Sequence, residues 1–403
     1  MSGTRALPRT PQVRRRGRRR AVVAVATVAL LGLSACATTT GSTKGGGGGD
    51  TIKLGVIVAE TGPIAGAGKT FANGGRIAVQ NINDGDLIGG GKKIELVEKE
   101  GSEDPAKSAS VMAQLAADQS ITGIACCILS TVAGAAKPIA EKQKVPLMLW
   151  GATEKDLAKP PYVFRTVTLP QPANEKMAVD LAKKQNLTSV AYGVMTDNAG
   201  IVSQGDAFKK GMDEAGVKDL GQVGTLSTQK DFTGSATSLI QKNAQAVVVA
   251  GTQSNTIGLI AALYQKGYKG QIISGETVVG AGVYQSQPKA LANVPFPVYF
   301  LASEATGLGK TFAASYQKKY NEEPDDYAAQ GYNAIYTLAM GLKAAGSDTT
   351  RAGLSKALTN MKSLDDTIYG KVTFTDGQLN AASNVQIVQY SSPDGVIVPW
   401  TGS

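Results

Sequence analysis

The sequence contains no histidine. That removes the commonest general base near neutral pH and the commonest metal ligand. No Cys/Asp/Glu cluster has ligand spacing either, so a zinc site or a histidine-based triad is not expected. Cysteine is scarce as well. Cys126 and Cys127 are the only thiols beyond the first fifty residues, and two cysteines cannot build a multi-bridge disulfide framework. Long apolar runs are also missing. The stretch at 21–35 is about 15 residues, short of the ~20 that a helix needs to cross a bilayer.

What the first residues have in excess is arginine. Residues 1–20 carry Arg5, Arg9, Arg14, Arg15, Arg16, Arg18, Arg19 and Arg20 with no acid, followed by AVVAVATVALLGLSA and then Cys36. A basic segment, a short apolar core and small residues at the join predict a secretory signal over 1–35 rather than a membrane span. The join Leu33-Ser34-Ala35-Cys36 resembles a bacterial lipobox. That resemblance implies lipidation of Cys36 and anchoring at the outer face of the cell membrane. Arg19-Arg20 leaves both the general and the twin-arginine export routes open. These eight arginines supply all but one unit of the formal +9, so the mature chain is near neutral and gives no reason to expect nucleic acid as a partner. With Cys36, the Thr/Gly-rich segment through residue 50 predicts a flexible tether of roughly 20 Å reach.

The remaining length exceeds one typical core, so two domains are expected. Short apolar runs at 52–58, 94–99, 121–128, 145–149, 189–195, 245–251, 271–274, 297–302 and 385–390 predict strands. Helical stretches lie between them. One starts with Asp104 as N-cap and Pro105 in the first turn; another covers 255–266 and stops at Gly267. Strand–helix alternation along the whole chain predicts an α/β fold with parallel sheets covered on both faces.

Two segments imitate a phosphate-binding loop. Five residues separate Gly62 from Gly68 ahead of Lys69, where the motif has four, and Glu304 stands where Gly309-Lys310-Thr311 would need its first glycine. Neither fits, and no cofactor is expected. The adjacent Cys126 and Cys127 read as buried free thiols that strand alternation sends to opposite faces.

In parallel α/β sheets, ligands gather beyond the carboxyl ends of the strands, against helix N-termini. Four loops have that position here: 60–69, 129–134, 151–154 and 275–280. Ser130, Thr131 and Thr153 offer hydroxyls and N–H groups suited to a carboxylate, and Glu276 offers a carboxylate suited to an ammonium. Together they would hold a zwitterion. The competing readings are ordinary ones: helix caps for Ser130 and Thr153, a surface acid for Glu276.

Five segments carry a family resemblance: TGPIAGAGKTFANGGRIAVQNIN, EDPAKSASVMAQLAAD, LSTVAGAAKPIAEKQKVPLMLWGAT, ISGETVVGA and QKKYNEEPDDYAAQGYNAIYTLAMGLKAAG. In this order they resemble the type I periplasmic binding proteins that serve ABC importers of branched-chain and other amino acids. The resemblance implies two Rossmann-like lobes joined by three crossover segments. The N-terminal lobe would comprise 51–167 plus 303–376, and the C-terminal lobe 168–302 plus 377–403. It also implies a ligand in the interlobe cleft, ABC permease subunits as partners and no catalysis.

The resemblance further assigns roles. It places Ser130 at the carboxylate-binding serine, Gly151 and Thr153 at the groups that read an amino acid's backbone, and Glu276 at the acid that binds its ammonium. Three places depart from the pattern. Ala67 stands where a large aromatic often meets the substrate side chain, Val202 lies nearest to an absent tyrosine, and Thr252 or Gln253 replaces another aromatic. The backbone-reading half is kept while the side-chain half looks larger or more polar. An amino acid is the expected cargo, with an amide, urea or a small organic acid left open, as is a sensor built on the same clamp.

Overall fold

Strand β1 (Thr51–Val58) is buried along nearly its whole length, as a strand covered on both faces must be. It opens the computed structural model, which describes residues 51–280 and 282–402; the expected signal segment, Cys36 and tether lie outside those residues. β1 pairs in parallel with β2 (Lys93–Glu100) and β3 (Ile121–Cys126), and the sheet continues through β4 (Leu147–Leu149) to β5 (Val163–Arg165). Helices α1 (Ala65–Asp84), α2 (Pro105–Ala117) and α3 (Ser130–Gln143) follow β1, β2 and β3. Asp104 caps α2 as expected, accepting from the Ala106 and Lys107 N–H groups at 2.7 and 3.2 Å.

The second lobe repeats the pattern. β6 (Ser189–Met195), β7 (Lys218–Thr225), β8 (Ala246–Ala250) and β9 (Gln271–Ser274) form a four-stranded parallel sheet in the order β7-β6-β8-β9. Helices α4 (Gln171–Gln185), α5 (Ala199–Glu214), α6 (Thr233–Gln241) and α7 (Gln253–Gln265) belong to this lobe. β10 (Phe296–Val298) ends the segment, and the chain returns to the first lobe with the helices Gly307–Tyr320, Asp326–Ala345 and Arg351–Asn360.

Two expectations need correction here. The sheets are not wholly parallel: β11 (Ser363–Thr367), β12 (Gly370–Thr375) and β13 (Gln378–Asn380) extend the first sheet by antiparallel pairings, and β10, β14 (Gln386–Tyr390) and β15 (Ile397–Pro399) make a small antiparallel sheet. The last crossover expected at Asp376 falls later, because β13 still pairs with β5 before β14 joins the second lobe. The crossovers are therefore 166–170, 299–306 and 381–385. They are bound to one another: the Tyr299 hydroxyl donates to the Leu169 carbonyl at 3.3 Å, and the Ala381 N–H donates to Thr168 Oγ1 at 2.8 Å.

The first lobe's core closes where α1 packs on the Asp326–Ala345 helix, burying Phe71, Ile77, Tyr332 and Ile335. Glycines let these helices approach at backbone contact. A methyl on Gly74 would overlap the Ala328 carbonyl, and one on Gly331 would overlap the Phe71 carbonyl. Gly74→Ala should therefore cost stability despite alanine's better helix propensity, by about 1–3 kcal/mol from overpacking. The measurement is urea unfolding, with a lower midpoint and an unchanged slope expected.

Candidate functional site

The site begins where β3 stops. Cys126 ends the strand, and Cys127 turns off it with a φ of 78°. The two sulfurs are joined in a vicinal disulfide. This corrects the expectation of two free thiols on opposite faces: the left-handed turn at Cys127 breaks the alternation that would have separated them.

The turn delivers Ile128 and Leu129 to the start of α3, and Ser130 becomes the first helical residue. It does not cap its own helix. Its buried Oγ accepts instead from the N–H groups of Thr153 and Glu154, at 3.2 and 3.1 Å, joining α3 to the loop after β4. A hydroxyl that accepts twice still has its one proton to donate. Gly151 permits the join, since a Cβ there would sit 2.9 Å from Ile128 Cα and 3.0 Å from Phe71 Cζ.

Arg165 holds this loop from behind. Its buried guanidinium donates to the carbonyls of Ala152, Glu154 and Lys155 at 3.3, 2.6 and 3.1 Å, and also to Gln378 Oε1. Burial pulls its pKa down to about 10, against the upward pull of Asp156 and Glu154, so it stays charged at neutral pH.

The second lobe supplies the facing wall. Asn198 caps α5 by accepting from the Gly200 and Ile201 N–H groups at 3.0 and 3.3 Å. Gln204, nearly two turns further along α5, donates from Nε2 to Thr153 Oγ1 across the cleft at 3.3 Å, and Gln171 of α4 donates to the Thr153 carbonyl at 3.2 Å. Thr252 stands at the N-cap of α7. Gln253 begins that helix and donates to the Val279 carbonyl at 2.6 Å.

Glu276 follows β9 and is only 5% exposed. Gln330 Nε2 donates to its Oε2 at 3.5 Å and to Asp326 Oδ2 at 3.1 Å. Burial pushes the Glu276 carboxyl well above the ordinary range, and the neighbouring Asp326 charge adds to that.

These walls enclose a cavity of about 60 Å³. Of the residues singled out in the sequence, Ala67, Ser130, Gly151, Thr153, Thr252, Gln253 and Glu276 line it. Thr131 and Val202 do not. Both sit on the helices concerned, but Ser130 and Ile201 are the neighbours that face the cavity. The apolar floor was not anticipated. Phe71 lies one turn after Ala67 and stacks on Tyr327 with centroids 5.2 Å apart and planes 22° apart. An aromatic four residues after Ala67, on the same helix face, is the signal that would have found it. Asn198 was missed too, although an Asn at the start of a helical stretch is a readable N-cap signal, and Gln204 on the same helix carried no such signal. Neither phosphate-loop imitation forms such a loop: Gly68 lies inside α1 and Gly309 inside the Gly307–Tyr320 helix.

With this fold and cleft, the family model described as periplasmic binding protein matches residues 51–395. The chain belongs to that family. It is 26% identical over 343 residues to the Leu/Ile/Val-binding protein homolog 3 of Brucella melitensis, which covers 82% of this chain and 89% of the relative. A leucine binding protein LivK from Thermotoga maritima superposes with a TM-score of 0.79 at 21% identity, covering 87% of this chain and 98% of that one. A solute binding protein of an ABC transporter from R. palustris, in complex with benzoate, superposes with a TM-score of 0.76 at 17% identity, covering 87% and 95%. The type I periplasmic binding fold accounts for the two parallel-rich lobes and their three crossovers.

The periplasmic binding clamp is close-fitting at Gly200. A methyl there would overlap Ser130 Oγ and lie 2.8 Å from Thr153 Oγ1, on the opposite lobe. Gly200→Ala should keep or raise helix stability while holding the lobes apart. Small-angle scattering with saturating cargo should then show a larger radius of gyration than the parent, and cargo affinity should fall at least about tenfold, or ~1.4 kcal/mol.

Proposed function

We propose that this chain is the extracytoplasmic substrate-binding receptor of an ABC importer, held at the outer face of the cell membrane through Cys36. It captures an amino acid or close analogue between its lobes and delivers it unaltered to the permease. The observation that carries this reading is the polarity of the cleft. Ser130 and Thr153, with the N-terminus of α3, stand on one side, and Glu276, a buried carboxyl with no cationic partner among the described residues, stands on the other. A carboxylate suits the first and an ammonium the second. The lobes as drawn from the sequence, with the last crossover moved to 381–385, place these groups on separate bodies. A zwitterion therefore rewards closure, and each charge-assisted hydrogen bond contributes roughly 1.5–3 kcal/mol.

A second reading has its own support. The Phe71–Tyr327 stack forms an aromatic floor, and a fold neighbour is known with benzoate. An aromatic carboxylate would use Ser130 and that floor, leaving Glu276 to hold a proton.

A thermal-shift panel of amino acids, amides, urea and aromatic acids tests both. A cargo at 100 times its Kd should stabilise the chain by about 2.7 kcal/mol. Stabilisation by one class of amino acid, lost in Glu276→Ala, is the expected outcome. Stabilisation by benzoate alone, retained in Glu276→Ala, would overturn the zwitterion assignment and favour the second reading.

A further inference from the structure

Behind Glu276 lies a carboxyl that the cavity does not expose. Asp326 opens the Asp326–Ala345 helix of the first lobe and is 1% exposed, whereas Glu276 belongs to the second lobe. The two carboxyls share one donor, Gln330 Nε2, which lies 3.5 Å from Glu276 Oε2 and 3.1 Å from Asp326 Oδ2. Asp326 Oδ1 also accepts the Tyr299 backbone N–H at 3.1 Å, in the crossover that Tyr299 ties to Leu169. The pair thus joins cleft, lobe interface and hinge.

Among the described residues, the groups facing the pair include no cation. Asp325 and Tyr327 come from the same helix, Tyr299 from the crossover and Tyr369 from the turn between β11 and β12, while Tyr390 of β14 acts on Asp325 and Tyr327. Of these, Tyr327 donates its hydroxyl to the Glu276 carbonyl rather than to either carboxyl, at 3.4 Å. Asp325 is itself pushed up to about 6 by burial. Two buried carboxyls that share one donor, with no cation facing them among the described residues, favour holding one proton between them, because like charges this close in a dry site oppose each other's ionisation.

We propose that Asp326 is a specificity-determining residue: with Glu276 it forms a two-carboxyl subsite in which a cargo's ammonium replaces a proton, so that capture of an amine-bearing solute releases that proton to water. This rests on the reading of Glu276 as the ammonium subsite. The exchange balances, since an N–H···O contact from the ammonium takes the place of the carboxyl O–H and that proton passes to solvent. Its sign follows from linkage. Amine-bearing cargo competes with protons, so its affinity falls as pH falls, by at most about tenfold per pH unit for one full proton. A cargo without a cation keeps the proton in place, and its affinity falls as pH rises.

The test uses the chain from Thr51 on, L-leucine and benzoate as probes, and Asp326→Asn as the variant. Asparagine can keep the bond from Tyr299 and donate to Glu276, which removes the shared proton without opening a cavity. Carbon NMR of the carboxyl groups in the cargo-free wild type should show a protonated carboxyl near neutral pH that is missing from Asp326→Asn. Calorimetry of L-leucine in buffers of different ionisation enthalpy should show proton release by wild type and none by the variant, whose affinity should lose its pH dependence. Fully ionised carboxyls in the cargo-free protein would overturn the proposal, as would L-leucine binding with no proton release at any pH. If the protonated carboxyl is present but benzoate binds and L-leucine does not, the ammonium reading of Glu276 fails and the exchange fails with it.

Discussion

The hydrogen bonds that tie the three crossover segments to one another govern what the rest of this molecule can do. Tyr299 joins the second crossover to the first through Leu169, and Thr168 joins the third to the first through Ala381. These bonds hold the three segments together as one strip between the lobes. Each lobe sends the carboxyl ends of its parallel strands toward the cleft, so closure brings two sets of helix N-termini and loops face to face. The cleft chemistry follows from that geometry. Ser130 and Glu276 line the same cavity from opposite lobes, and each offers groups of one sign on one face.

Much of this was legible in the sequence because burial on both faces writes a strong signal. β6 and β9 match their apolar runs residue for residue, and Asp104 with Pro105 marks the start of α2. The missed strands lack that signal. β11, at the sheet edge, and β12 beside it carry exposed polar residues such as Asp365, Asp366 and Lys371. β5 is only three residues long, and β13 is no longer. The last crossover was misplaced for this reason: the strand that delays it is too short to show a period.

In the site, the sequence located the polar groups but not their supports. Ser130, Thr153 and Glu276 stand at strand ends, where position alone argues for them. Arg165 and Asp326 act from behind, and a lone arginine or aspartate carries no local pattern that separates it from a surface charge. Only the tertiary fold shows Arg165 binding the 152–155 carbonyls, or Asp326 meeting Glu276. Cys126 and Cys127 pose the same problem at shorter range. Strand alternation predicts separation, and a single left-handed residue reverses the answer. A bond between adjacent cysteines suits the oxidising surroundings that an exported chain meets.

The side-chain half of the cleft decides which cargo such a clamp can prefer. Ala67 removes bulk near the first strand, yet Phe71 and Tyr327 return a flat apolar floor one turn deeper. Meanwhile Gln204 rests on Thr153 Oγ1 and Gly200 rests against Ser130. Under the proposed reading, a cargo would take its carboxylate contacts from groups that the second lobe already touches, and only the difference between those two sets of contacts would drive closure. That difference is small for the neutral Gln204–Thr153 bond, at about 1 kcal/mol. It would be larger for a cation meeting the buried Glu276. On the zwitterion reading, selection in this cleft falls mainly to the charged end of the cargo, with the aromatic floor sorting the solutes that carry it.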